Sequence, residues 1–280
     1  MKEKSTLNGY NDSPVGESAS IELRKRILDV VEHAGRGHIG PALSILDILD
    51  VLYGTVMRNI YGKENRDRDR FILSKGHGCL ALYVVLEKYG LIENEDLESF
   101  CDFNSAFGGH PEHFKLSAIE FSTGSLGHGP SLAVGLALGA KLIKGDSRIY
   151  VLIGDGELNE GSIWEAAAHA YKHKLNNLCL IIDRNGMQAS GSLEDVLDME
   201  PLRTKWEAFG FYVQEIDGHN RAEIADALDF RESVSSLPRV IIANTIKGKG
   251  IKEAENSPVW HHKAKITNQE IAILKAGLLE

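Results

Sequence analysis

Two uninterrupted apolar runs, Ile149-Tyr150-Val151-Leu152-Ile153 and Leu178-Cys179-Leu180-Ile181-Ile182, constrain this chain more than any other feature. Neither alternates apolar with polar, so each reads as a strand buried on both faces. A helix is expected between them, over about 162–174. Two further strands, 211–216 and 240–245, flank a helix expected at about 221–230. Strands alternating with helices indicate the α/β class, a mostly parallel sheet flanked by helices.

The first half fits the same class. Residues 18–33 carry Ile21, Ile27, Leu28 and Val31 at helical spacing. The turn Gly35-Arg36-Gly37-His38-Ile39-Gly40 follows, and Pro41 suits the first turn of a helix expected over 42–57. Phe71-Ile72-Leu73 reads as a short strand ending at Ser74-Lys75-Gly76-His77-Gly78, with a helix over 79–89. Residues 99–128 read as loops, and a helix rich in small residues is expected at about 130–143. The polar residues 1–16 read as a loose arm, leaving 17–280 as one domain.

Composition narrows the function. Lys plus Arg is 31 against Asp plus Glu of 40, a net charge of −9 with no basic run, which argues against a nucleic-acid or anionic-membrane partner. No run approaches the roughly 18 apolar residues of a membrane span. Cys79, Cys101 and Cys179 are odd in number and lack paired spacing. This argues against a disulfide framework and for a reducing, cytoplasmic setting.

The chemistry is concentrated after the first apolar run, in Gly154-Asp155-Gly156-Glu157-Leu158-Asn159-Glu160-Gly161. Glycines behind a parallel strand let backbone approach a ligand closely, and the following helix start offers N–H groups to a phosphate. A carboxylate there repels phosphate unless a hard cation such as Mg²⁺ lies between them. The second run ends in Asp183-Arg184-Asn185, and neighbouring parallel strands bring Asn185 to the edge where α/β sheets bind ligands. A Gly-x-Gly-x-x-Gly reading fails because its third glycine position is Asn159, which argues against a nicotinamide cofactor. A tight turn with a loop cap is the alternative for Gly-Asp-Gly alone, and it accounts poorly for the whole strand–helix–strand unit. Of eleven histidines, His38, His77, His110, His128 and His261 sit in or beside glycine- or proline-bearing turns. The expected place of His33, His113, His169, His173 and His219 is a solvated surface.

Gly154-Asp155-Gly156 with Asn185 resembles the thiamine diphosphate motif, and the chain as a whole resembles the N-terminal portion of transketolase over roughly 18–265. Further motifs in matching order are GRGHIG at 35–40, DRFILSKGHG at 69–78, GGHPE at 108–112, TGSLGHG at 123–129 and TIKGKG…VWHH over 245–262. The resemblance implies the thiamine diphosphate-binding fold and transfer of a two-carbon ketol unit from a ketose, or its phosphate, to an aldose. It makes Asp155, Asn185 and the carbonyl of Met187 ligands of Mg²⁺, or of Ca²⁺ or Mn²⁺ in its place. It puts the Gly156 backbone at the diphosphate, and Gly124 and Leu126 at the cofactor rings. His38 and His261 are implied as proton shuttles, His77 as a further diphosphate contact and His110 as a contact to sugar hydroxyls. Histidine is suited to proton transfer near neutral pH. Glu160 matches an acid that communicates across the interface between subunits; a glutamate serving a helix dipole is its equal alternative. Lys247 and Lys249 could approach phosphate, or simply belong to a glycine-rich loop. Ile39, Ser125 and His128 depart from common family residues and leave the particular sugar open.

In the family the cofactor lies between two domains, and this sequence carries the diphosphate-binding one. The expectation is a split enzyme, with a separate subunit for the pyrimidine-binding half and a heterotetramer of two copies of each. Alternatives are the alpha subunit of a thiamine-dependent 2-oxo acid dehydrogenase, a deoxyxylulose phosphate synthase-like chain, and a non-catalytic cofactor-binding homologue. The first has no need of histidines at 38, 110 and 261, and the last is expected to lose Asp155, Asn185 or the histidines.

Overall fold

The computed structural model describes residues 17–61, 67–93, 97–229 and 236–279, so the arm expected over 1–16 lies outside the described residues. In chain order the elements begin with α1 (Glu17–Ala34), α2 (Ile39–Leu43) and α3 (Leu46–Val51), which continues as a π-helical turn, Leu52–Val56. Then come β1 (Arg70–Leu73), α4 (Cys79–Lys88), α5 (His128–Leu142), β2 (Ile149–Gly154) and α6 (Gly161–Lys172). The remainder are β3 (Leu178–Arg184), α7 (Leu193–Val196), α8 (Leu202–Ala208), β4 (Tyr212–Asp217), α9 (Arg221–Leu228), β5 (Arg239–Asn244) and α10 (Asn268–Ala276).

All strand pairs are parallel, in the order β1-β2-β3-β5-β4. The apolar runs behave as two-faced strands. Tyr150, Leu152, Cys179, Ile181 and Ile241 enter one core with α1, α3 and α4. Ile149, Val151, Ile153, Leu180, Ile182 and Val240 enter a second with α5, α6 and α8. Successive side chains of one strand therefore anchor two helix layers, and truncating a fully buried leucine such as Leu152 to alanine is expected to cost about 2–5 kcal/mol. With the strands parallel, their C-terminal ends share one edge, and the register sets Gly154 beside Asp183 there.

The helix expected over 42–57 is broken. α2 stops after Leu43, where the Ser44 hydroxyl donates to the Asp183 carboxylate at 2.8 Å, with the Pro41 carbonyl 3.1 Å away. Further on, the Met57 N–H reaches back to the Leu52 carbonyl at 2.8 Å, closing the π turn. Gly54 permits this: a Cβ there would lie 2.1 Å from the Tyr89 hydroxyl, which bonds Asp50 at 2.9 Å. Helices α7, α8 and α10 were not among the sequence expectations, and α10 opens with a capping box from Thr267 and Glu270.

Candidate active site

Ten of the residues named from the sequence meet in one cavity of about 280 Å³: His38, His77, His110, Gly124, Leu126, Asp155, Gly156, Asn185, Met187 and His261. It opens at the shared C-terminal edge of β2 and β3. Glu160 is the exception. It is exposed, caps the start of α6 without a side-chain hydrogen bond, and its Cβ packs against Gly127.

At the carboxylate end, Asp155 is almost fully buried and accepts from the Gly156 N–H at 2.8 Å and the Gly186 N–H at 2.6 Å. It thereby ties the end of β2 to the loop after β3. Burial, then the nearby Asp183 charge, pushes its carboxyl up to about 6. Asn185 donates to Asp183 at 2.8 Å, and its Oδ1 accepts from the Met187 N–H at 3.1 Å. The α6 helix does not start at the glycine pair; a 3₁₀ turn, Gly156–Asn159, intervenes, so the Gly156 backbone, not the helix terminus, faces the cavity.

The histidines form a cluster around His38, whose ring centroid lies 5.6 Å from His77, 5.9 Å from His110 and 6.1 Å from His261. Burial, reinforced by His262, His110 and Lys75, lowers His38 to about 4. Burial with Lys247 and Lys75 lowers His261 to about 3, and burial with Lys75 holds His77 well below the ordinary range. His110 is also lowered, by burial and His262. All four are neutral at pH 7. His33, His113, His128, His169 and His173 are exposed. His219 is not the solvated residue expected: its ring bonds Asp47 at 2.9 Å and accepts from the Ile246 N–H at 2.9 Å.

Lys75, Asp183, Glu157 and His262 escaped the sequence reading, whereas Lys247 figures there as a candidate phosphate contact. Lys75 and Asp183 form an enclosed ion pair, with side chains 2% and 0% exposed, and Asp183 also takes bonds from Ser44 and Thr245. Although burial opposes it, the Lys75 ammonium holds Asp183 below the usual carboxylate range. Glu157 is buried and accepts from Ser74, from the Gly127 N–H at 2.7 Å and from the Gly154 N–H at 3.2 Å. Lys247 lines the cavity with its ammonium 3.1 Å from the Met187 carbonyl; burial, then Lys75, lowers it to about 8. Lys249 lies outside the lining. The His262 ring lies against His38, tilted by 39° with centroids 4.4 Å apart, and the His261-His262 doublet was its available signal.

These residues fit a metal and an anion. Among the described residues no group of three His, Cys, Asp or Glu could hold a metal, so a cation here needs amide and carbonyl oxygens beside Asp155. Asn185 and Met187 offer both. Lys247 is a buried cation held by carbonyls, and two further lining atoms, Gln188 Nε2 and His261 Nδ1, are buried without partners. Such atoms await a polar ligand.

The model of the transketolase, thiamine diphosphate binding domain matches residues 17–278. The chain belongs to this family. Among curated transketolases, it is 42% identical over 254 residues to an apulose-4-phosphate transketolase subunit of Phocaeicola vulgatus, covering 90% of each chain. It is 39% identical to a 6-deoxy-6-sulfo-D-fructose transketolase subunit of Clostridium sp., covering 88% of this chain and 90% of that one. The solved transketolase of Campylobacter jejuni superposes with a TM-score of 0.83 at 36% identity, over 92% of this chain but 41% of its own. The chain thus spans about two fifths of that transketolase and nearly all of the two relatives named as subunits. Transketolase-type transferase chemistry with thiamine diphosphate accords with these likenesses better than the dehydrogenase or synthase alternatives do.

Proposed function

We propose that this chain is the diphosphate- and metal-binding subunit of a split transketolase, joined by a separate subunit that supplies the pyrimidine-binding half. The observation that carries the reading is the convergence of Asp155, Asn185, Met187 and four neutral histidines on one cavity. Relatives named as transketolase subunits, matched over 90% and 94% of their length, support the missing half. The assembly is a heterotetramer of two copies of each subunit, with Glu160 exposed beside Gly127 at an interface. Residues 17–280 constitute the cofactor domain. The setting is the cytoplasm, consistent with three free cysteines; among the described residues no helix is long and apolar enough to cross a membrane.

Asp155, Asn185 and the Met187 carbonyl would hold Mg²⁺, or Ca²⁺ or Mn²⁺ in its place, and Gly156, His77 and Lys247 would meet the diphosphate. Thiamine diphosphate supplies the nucleophilic carbon and the electron sink. His38 and His261 accept and return the hydroxyl proton at Nδ1 or Nε2, because burial keeps both rings neutral. Gly124 and Leu126 line the ring-binding wall, and His110 orients sugar hydroxyls. The relatives' names carry a sugar phosphate and a sulfo-sugar, so the substrate is a sugar with an anionic group.

The test is metal-dependent thiamine diphosphate binding by the assembled complex, read by calorimetry. Asp155→Ala and, separately, Asn185→Ala are expected to abolish it. Binding unchanged in both variants would overturn the assignment.

A further inference from the structure

A single buried carboxylate grips the 245–250 turn from both ends through two intermediaries. Asp47, on α3, accepts from the Ser20 hydroxyl and from Arg24 Nη2 at 2.8 Å, and bonds His219 Nδ1 at 2.9 Å. Each of the two larger partners then reaches on to the turn. His219 Nε2 accepts from the Ile246 N–H at 2.9 Å, and Arg24 Nε donates to the Lys249 carbonyl at 2.9 Å. A ring nitrogen that accepts carries no proton, so the ring proton sits on Nδ1 and points at Asp47. Asp47 thereby sets the ring's orientation as well as the guanidinium's.

Lys247 lies between the two gripped groups. The turn around it is tight: the Lys249 N–H reaches back to the Ile246 carbonyl at 3.1 Å, and the Gly248 N–H donates to the Gly40 carbonyl at 3.2 Å. Gly248 has φ +84°, and a Cβ there would fall 2.0 Å from the Ala254 carbonyl oxygen. The Lys247 ammonium enters the cavity 3.1 Å from the Met187 carbonyl, whereas Asp47, Arg24 and His219 are absent from its lining. A lysine carries its charge on a flexible four-carbon stem, so the ammonium is placed only as firmly as the backbone that bears it. Firm placement before binding lowers the ordering cost that a ligand meets.

We propose that Arg24 and His219, oriented by Asp47, are positioning residues that hold Lys247 where the cofactor's diphosphate binds. The inference rests on the diphosphate occupying the cavity as proposed above. It extends the anion site to three side chains that touch neither the cofactor nor the metal.

The test is a double-mutant cycle on thiamine diphosphate affinity, read by calorimetry on the assembled complex with Mg²⁺. Lys247→Met and His219→Leu are each expected to weaken binding about tenfold. The His219→Leu/Lys247→Met double variant should bind within about twofold of Lys247→Met alone, because His219 acts through that lysine. His219→Gln keeps an acceptor for the Ile246 N–H and should recover most of the wild-type affinity. Should His219→Leu fail to assemble, His219→Asn, too short to span Asp47 and Ile246, takes its place in the cycle. A lowered Tm with unchanged affinity in the His219 variants would overturn the proposal, and so would additive losses. Unchanged affinity in Lys247→Met sinks this inference alone and leaves the metal-binding reading of Asp155 and Asn185 standing. A wild-type complex that takes no cofactor removes both.

Discussion

The Glu157 carboxylate accepts a hydrogen bond from the Gly127 backbone N–H at 2.7 Å, fastening the 123–129 loop to the end of β2. Gly127 adopts φ +86°, and the same loop carries Gly124 and Leu126 into the cavity. Glu157→Ala would leave the Gly127 and Gly154 N–H groups buried and unpaired. The expected cost is about 3 kcal/mol, a fall in Tm of roughly 6–12 °C, with weakened cofactor binding. Calorimetry checks both, and a Tm within roughly 2 °C of wild type would contradict the fastening role.

The Lys75–Asp183 pair predicts a non-additive result. Both side chains are enclosed, so Lys75→Met leaves a buried charge uncompensated and should cost about 3–5 kcal/mol. The double variant Lys75→Met/Asp183→Asn should regain much of that loss. Denaturant unfolding of the two single variants and the double variant gives the coupling, and additive losses would show that the pair does not act as a unit.

Acid should destabilise the chain through the histidines. His38 and His261 have folded-state values depressed from 6.5 to about 4 and about 3, and His77 is depressed as well. Their contribution is present above pH 6.5 and is lost as pH falls toward those values. Asp155, raised from 3.8 to about 6, and Glu157, also raised by burial, act in the opposite sense, while His110 and Asp183, both lowered, act with the three histidines. The net expectation is a Tm that declines from about pH 6.5 to about pH 4, with the His38 and His261 ring resonances unprotonated at about pH 5.5. Resonances titrating near 6.5 would contradict the burial account.

Metal binding should carry the signature of Asp155. With its carboxyl at about 6, protons compete with the cation below that pH. Mg²⁺ affinity in the presence of thiamine diphosphate should be flat above about pH 6.5 and fall about tenfold per pH unit below about 6. Affinity unchanged down to about pH 5 would remove Asp155 from the ligand set.

The sheet and the metal-proposed residues were legible because their signals are local. Continuous apolar runs specify two-faced strands, and the parallel arrangement then sets Asp155 and Asn185 on one edge. The Lys75–Asp183 pair was not legible, since nothing local announces that Ser44, Thr245 and Lys75 converge on one carboxylate. His219 likewise reads as a surface residue until Asp47, far away in sequence, is placed against it. The break after Leu43 arises from Ser44 serving Asp183, a tertiary demand that overrides helix periodicity. The α10 helix was within reach, because Thr267 and Glu270 have capping-box spacing.

The split-enzyme account is tested most directly by measuring ketol transfer from a ketose phosphate to an aldose phosphate, with Mg²⁺ and thiamine diphosphate, by this chain alone and after addition of the second subunit. The account predicts no turnover by the chain alone and robust transfer by the mixture. Equal transfer by the chain alone would contradict it.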